Sequence, residues 1–318
     1  MSVSTWAKSL GLSTPVVCAP MGGISGGRLA AAVSRAGGLG LIGMGSSGSA
    51  LALTRELAAF RDAAEGWQGP WGIGMVAWGV ERDPEMLEVA LSAAPSAVSV
   101  SFGDWLTDPN PSWIDRVHDA GAQAMTQVAT VDEARHAADA GVDVIVARGK
   151  EAGGHGVHAH PRRELLGDVL AAVEVPVLTA GAIHTREQVA DALAAGAAGV
   201  WIGTAFQACT ESLADDASRQ VLFAARGEDT LVSRVYDVAL GRPWPEHIPE
   251  RLLPTEFVKR WQGRETELAE DAAALAEFRE AYAANDYSIV PVDAGEGVTA
   301  LVEELSAAEV LANLTPHA

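Results

Sequence analysis

The stretch PVLTAGAIHTREQVADALAAGAAGVWIGTAF, residues 176–206, holds two short apolar runs separated by an alanine-rich segment with helical spacing. Such an arrangement reads as strand, helix, strand, and a connection of that length joins parallel strands. Working outward, the same unit recurs about every 25 residues. The runs are PVVCAPM (15–21), GLGLIGMG (38–45), WGIGMVAWG (71–79), AVSVSFGD (97–104), AQAMTQVA (122–129), VDVIVARG (142–149), VPVLTAGAI (175–183) and AGVWIGTAF (198–206). Each of these eight strands is followed by a plausible helix. An open doubly wound sheet is the alternative, but eight units within about 210 residues fit a closed barrel better. The predicted fold class is therefore α/β, a (β/α)8 TIM barrel, and its site belongs at the carboxyl ends of the strands.

Beyond residue 210 the pattern breaks. RPWPEHIPERLLPTEF is proline-rich and irregular, the charged helix RETELAEDAAALAEFREAYAAND follows, and GEGVTALVEELSAAEVLANL returns to an amphipathic helical pattern. The expected organisation is a barrel from 1–210 and 287–318, with 211–286 as a smaller helical lid inserted before the C-terminal helix.

Bulk properties narrow the function. Lys and Arg number 22 against 42 Asp and Glu, so the formal charge is 22 − 42 = −20. A phosphate backbone would be repelled, which argues against nucleic acid. Cys18 and Cys209 sit in apolar runs without metal-ligand spacing and read as small core residues. No secretory leader and no 18-residue apolar run is present, so no membrane role and a cytoplasmic location are expected. Oligomeric state stays open, a homo-oligomer included.

Glycines crowd the predicted strand ends. After strands seven and eight, Gly181-Ala182 and Gly203-Thr204 suit a phosphate held by backbone N–H groups and the Thr204 hydroxyl. Plain turn chemistry is the competing explanation. GLGLIG (38–43) and GMGSSG (43–48) both match a dinucleotide-binding glycine pattern, but the first lies inside a strand and the second lacks the following acid. After strand six comes RGKEAGGHGVHAH (148–160), where Gly153, Gly154 and Gly156 surround His155. A loop so bare can approach a flat ligand, and His155 can remove or deliver a proton near neutral pH. His158 and His160 read as solvated loop residues, and no carboxylate completes a recognised metal motif around them, so no metal is expected. With no nucleophile elbow and no exposed reactive cysteine, the chemistry calls for a cofactor.

APMGG (19–23), EAGGHG (151–156), the 176–206 segment and AGEGV (294–298) together resemble the nitronate monooxygenases, formerly 2-nitropropane dioxygenases, over most of the first 212 residues. The resemblance implies a barrel binding FMN, with its phosphate on the loops after strands seven and eight. Met21, Gly22 and Gly23 would touch the flavin ring, Gln127 would hydrogen-bond it, Gly153 and Gly154 would line its edge, and His155 would be the catalytic base. The implied reaction is oxidation of alkyl nitronates, and of nitroalkanes, by O2 to a carbonyl compound and nitrite. Arg148 is a candidate for stabilising the substrate anion. Departures are Arg148 where glutamine is common, Ala182 in place of a second glycine, Ala205 in place of arginine, and Ser101 where many members carry a histidine. The alternatives are an NAD(P)H-dependent FMN reductase acting on an enoyl thioester or a quinone, and a barrel that binds without turnover. Trp78 and Trp105 are expected in the core or at the rim.

Overall fold

The computed structural model describes residues 4–315. All eight expected strands form: β1 (Val16–Cys18), β2 (Leu39–Met44), β3 (Gly72–Val76), β4 (Ala97–Ser101), β5 (Gln123–Val128), β6 (Val144–Arg148), then β8 (Val177–Ala180) and β9 (Gly199–Ile202). Between β6 and β8 lies the two-residue strand β7 (Gly154–His155), outside the barrel. The eight pair in parallel around a closed circuit, and β9 returns to β1 through Val17 opposite Trp201. The strands are shorter than the apolar runs because the residues after each one turn into the loops of the site.

The barrel is buried on both faces, which is why its strands read as continuous apolar runs. Val17, Leu39, Leu41, Met125, Val146, Leu178 and Trp201 fill the interior, while Cys18, Ile42, Ile73, Val98, Ile145 and Val200 pack on the surrounding helices. Below the barrel, Trp6 joins the interior cluster and donates its indole N–H to Gln123 Oε1 at 3.0 Å. The last helix, Ala307–Leu314, returns to the barrel layer and buries Val310, Leu311 and Leu314 there.

The segment 231–290 shares a core around Phe257, Trp261, Leu268 and Phe278, which extends past the expected lid boundary at 286 to Val290. Its charged stretch is two helices, Glu265–Glu270 and Ala272–Ala283, because Asp271 stops the first and caps the second by accepting from the amides of Ala273 and Ala274. It also contributes strands, which the sequence reading did not anticipate. β10 (Leu231–Ser233) and β11 (Glu250–Leu253) pair antiparallel, β12 (Val292–Asp293) adds to β11, and β7 joins β11 with His155 opposite Glu250. The glycine loop after β6 is therefore held by strand pairing to this outer segment. The hydropathy pattern could not show it, since a two-residue strand has no period to read.

Candidate active site

A cavity of about 490 Å³ opens at the carboxyl ends of the barrel strands. Every candidate site residue named from the sequence lines it. Met21, Gly22 and Gly23 come from the loop after β1, Gln127 from β5, Gly153, Gly154 and His155 from the loop after β6, Gly181 and Ala182 from the end of β8, and Gly203 and Thr204 from the end of β9.

The glycines serve two different purposes. A Cβ on Gly22 would lie 2.6 Å from Gly45 Cα, so the loops after β1 and β2 touch through bare backbone. Gly153 needs its hydrogen because a Cβ would meet Gly295 N at 2.4 Å, and Gly156 because Arg148 Nη1 would be 2.0 Å away. These two are required by protein neighbours. Gly154, at φ 69°, and Gly23, at φ 75°, adopt the left-handed backbone that other residues avoid.

Arg148 is buried, and its Nη2 donates to the carbonyls of Ala152 (3.4 Å), Gly153 (2.9 Å) and Gly154 (3.0 Å). Burial brings its guanidinium down to about 10, so it remains a cation at neutral pH. It ties the His155 loop together and also lines the cavity. Ser101, also buried, accepts from the Gln127 amide at 3.1 Å and so positions Gln127.

His155 is 10 % exposed along its side chain, with Nε2 2.8 Å from Asp237 Oδ2 and 3.6 Å from Glu250 Oε2. The indole of Trp244 stacks on its ring, and Trp78 and Phe102 meet Trp244 edge-on at 5.5 and 5.0 Å. Trp78 is half-buried and supports Trp244 from outside the cavity lining, while Trp105 is in the core. Phe102 holds φ 69°, a strained conformation for a side-chain-bearing residue, at the cavity wall. His158 is half-buried rather than solvated: its Nδ1 is 3.1 Å from the Lys150 carbonyl, and burial followed by the Arg148 charge pulls it down to about 4. His160 is exposed. The three loop histidines do not converge. The groups that do converge are His155, Asp237 and Glu250, whose ligand-capable atoms lie within 4.8 Å of one another.

Asp237, Glu250, Asp293, Arg242 and Trp244 escaped the sequence reading. Glu250 is fully buried, and burial, then the neighbouring Asp293 and Asp237, push its carboxyl well above the ordinary carboxylate range. Burial likewise raises Asp293. The only hint in the sequence was the proline-bracketed RPWPEHIPE itself.

The profile of the nitronate monooxygenase family matches residues 4–78 and 63–317. The chain belongs to the nitronate monooxygenase family. Within it, the nitronate monooxygenase of Paraburkholderia phytofirmans is 33 % identical across 73 % of this chain and 74 % of its own. The Pseudomonas aeruginosa nitronate monooxygenase is 30 % identical across 97 % of both chains. Among solved structures, nitroalkane oxidase from Streptomyces ansochromogenes superposes with a TM-score of 0.80 at 29 % identity, covering 97 % of this chain and 96 % of that one. The chain is a flavin-dependent oxidoreductase.

The cavity fits a flavin. Where the loops after β1 and β2 meet, at Gly22 and Gly45, its lining is backbone without side chains, which suits a flat ring. At the other end, Gly181 (φ 128°) and Ala182 (φ 49°) turn tightly after β8. Gly203 caps the short helix Thr204–Gln207 without a side-chain acceptor, leaving first-turn N–H groups for an anion. The C-terminal segment closes over them, with the Gly295 amide donating to Thr204 Oγ1 at 3.1 Å. Among the described residues no helix is long and apolar enough to cross a membrane.

Proposed function

We propose that this chain oxidises alkyl nitronates, and nitroalkanes, with O2 to a carbonyl compound and nitrite, using FMN. Gly181, Ala182, Gly203 and Thr204 hold the phosphate; Met21, Gly22, Gly23 and Gln127 meet the ring, and Gly153 and Gly154 its edge. FMN, when bound, supplies the electron transfer. The rest falls to the protein. His155 removes the proton beside the nitro group when the substrate arrives neutral; a nitronate needs no such step. Trp244 and Phe102 exclude water around the reacting carbon, and segment 211–286 serves as the lid that carries Trp244.

The observation that carries this reading is the placement of one imidazole, at 10 % exposure, on the wall of a cavity whose lining at Gly22 and Gly45 is bare backbone. A base needs access to a substrate lying on a flat cofactor, and this arrangement gives it. The two free, buried cysteines fit a reducing, cytoplasmic setting.

The test is oxygen uptake with propyl-2-nitronate and with 2-nitropropane, scoring nitrite and acetone. Expected are oxygen consumption and nitrite from both without nicotinamide. His155→Ala is expected to lose turnover of 2-nitropropane while still binding FMN. Rapid NADH consumption with a quinone or an enoyl thioester, and no nitrite from either nitro compound, would replace this reading with a reductase.

A further inference from the structure

We propose that Asp237 is the positioning residue of the base: it fixes His155 with the proton on Nε2, so that Nδ1 is the nitrogen that removes the substrate proton. The proposal deepens the reading of His155 given above and rests on it for the reaction, though not for the tautomer.

The argument begins with burial. Asp237 has 5 % of its side chain exposed, on the helix Val235–Leu240. A carboxylate removed from water is costly unless it is paired. Its Oδ1 has no hydrogen-bond partner among the described residues, and the one hydrogen bond of its side chain is Oδ2 to His155 Nε2, at 2.8 Å. A carboxylate only accepts, so Nε2 carries the hydrogen. In a neutral imidazole the lone pair then belongs to Nδ1, which makes no hydrogen bond within the described structure.

The surroundings fix the ring further. Trp244 stacks on it at 3.7 Å between centroids with planes 10° apart, so it cannot rotate out of the line to Asp237 without losing that contact. Antiparallel pairing of His155 with Glu250 anchors the backbone on the other side. The charged and titratable groups around the ring are Asp237 from its helix, Glu250 from β11, Asp293 from β12 and Arg242 from the turn after that helix. Glu250 lies farther off, 3.6 Å from the same Nε2, beyond hydrogen-bond distance, which leaves Asp237 at 2.8 Å as the acceptor.

The chemical step balances simply. The C–H bond beside the nitro group breaks, its electron pair stays with the substrate as the nitronate, and the proton forms a bond to His155 Nδ1. The imidazolium so formed is stabilised through its Nε2–H by the Asp237 carboxylate. A nitronate given directly skips this step, which makes the two substrates a probe of Asp237.

The experiment combines two readouts on wild type, Asp237→Asn and Asp237→Glu. First, nitrogen-15 NMR of histidine-labelled protein, with His155→Gln used to assign the signals, reports which ring nitrogen of His155 holds the proton. Wild type is expected to show protonated Nε2 and unprotonated Nδ1, and Asp237→Asn a mixture of tautomers, since an amide can donate as well as accept. Second, the ratio of 2-nitropropane turnover to propyl-2-nitronate turnover is expected to fall at least tenfold in Asp237→Asn and to recover in part in Asp237→Glu. An Nδ1–H tautomer in wild type overturns the proposal whatever the turnover. So does a ratio that stays constant while both rates fall together, which is what a merely structural Asp237 would give. Failure of wild type to oxidise either compound would instead sink the functional reading and leave the tautomer to be decided by NMR alone.

Discussion

Trp244 lies flat on the imidazole of His155, with ring centroids 3.7 Å apart and planes 10° from parallel. One ring comes from the barrel's glycine loop and the other from the outer segment, so the surroundings of His155 are complete only when both are in place. Replacing Trp244 with Ala removes the ring that restrains His155 and admits water. A fall in kcat/KM for 2-nitropropane of about tenfold is expected, equivalent to about 1.4 kcal/mol of barrel-mouth positioning. Trp244→Phe should retain most of the activity. Steady-state kinetics check both, and an unchanged Trp244→Ala enzyme would contradict the restraint.

Two glycine substitutions should have opposite signs. In Gly22→Ala the new methyl meets Gly45 Cα at 2.6 Å, so the two loops that line the cavity there must part. A lower melting temperature and weaker flavin retention are expected. Gly167, inside the helix Arg162–Leu170, has nothing within 4 Å of an added Cβ. Gly167→Ala should raise stability by about 0.5–1 kcal/mol from helix propensity. Thermal melts with flavin release measured on the same samples compare the pair.

His158 should be visible in the acid limb of stability. Its folded value, about 4, lies below the ordinary 6.5, so between these two the unfolded chain binds a proton that the folded chain refuses. Stability from this group is present above pH 6.5 and lost as pH falls towards 4. His158→Gln is expected to flatten the melting temperature over that window. A variant whose acid limb matches wild type would show that burial does not keep His158 neutral.

Glu250 runs the other way. Its folded carboxyl is raised, so its contribution is fully present below the ordinary carboxylate value of 4.5 and is lost as pH rises through the folded value. Glu250→Gln keeps the shape of the neutral acid and cannot ionise. It should melt at a higher temperature than wild type at alkaline pH, with the difference shrinking as pH falls, which a pH series of thermal melts would show.

The barrel was readable in the sequence because both faces of each strand are buried, leaving unbroken runs such as VDVIVA between helices of helical period. His155 was readable because glycines isolate it. Its partners were not. Asp237 is 82 residues away in the chain and Glu250 further still, and each looks like any other acid in a chain with 42 of them. Their burial is a product of the pairing of β7 with β11, a contact between two segments that local pattern cannot connect. The reason for Gly153 and Gly156 was half legible: the bare backbone was expected, but its demand comes from Gly295 and Arg148.

The most direct measurement is a visible absorption spectrum of the purified protein, followed by anaerobic addition of propyl-2-nitronate and, in a separate sample, of NADH. A flavin spectrum that bleaches with nitronate alone is the result expected of an enzyme that oxidises nitronates on FMN. Bleaching with NADH and none with nitronate, or a colourless protein that FMN cannot reconstitute, would contradict it.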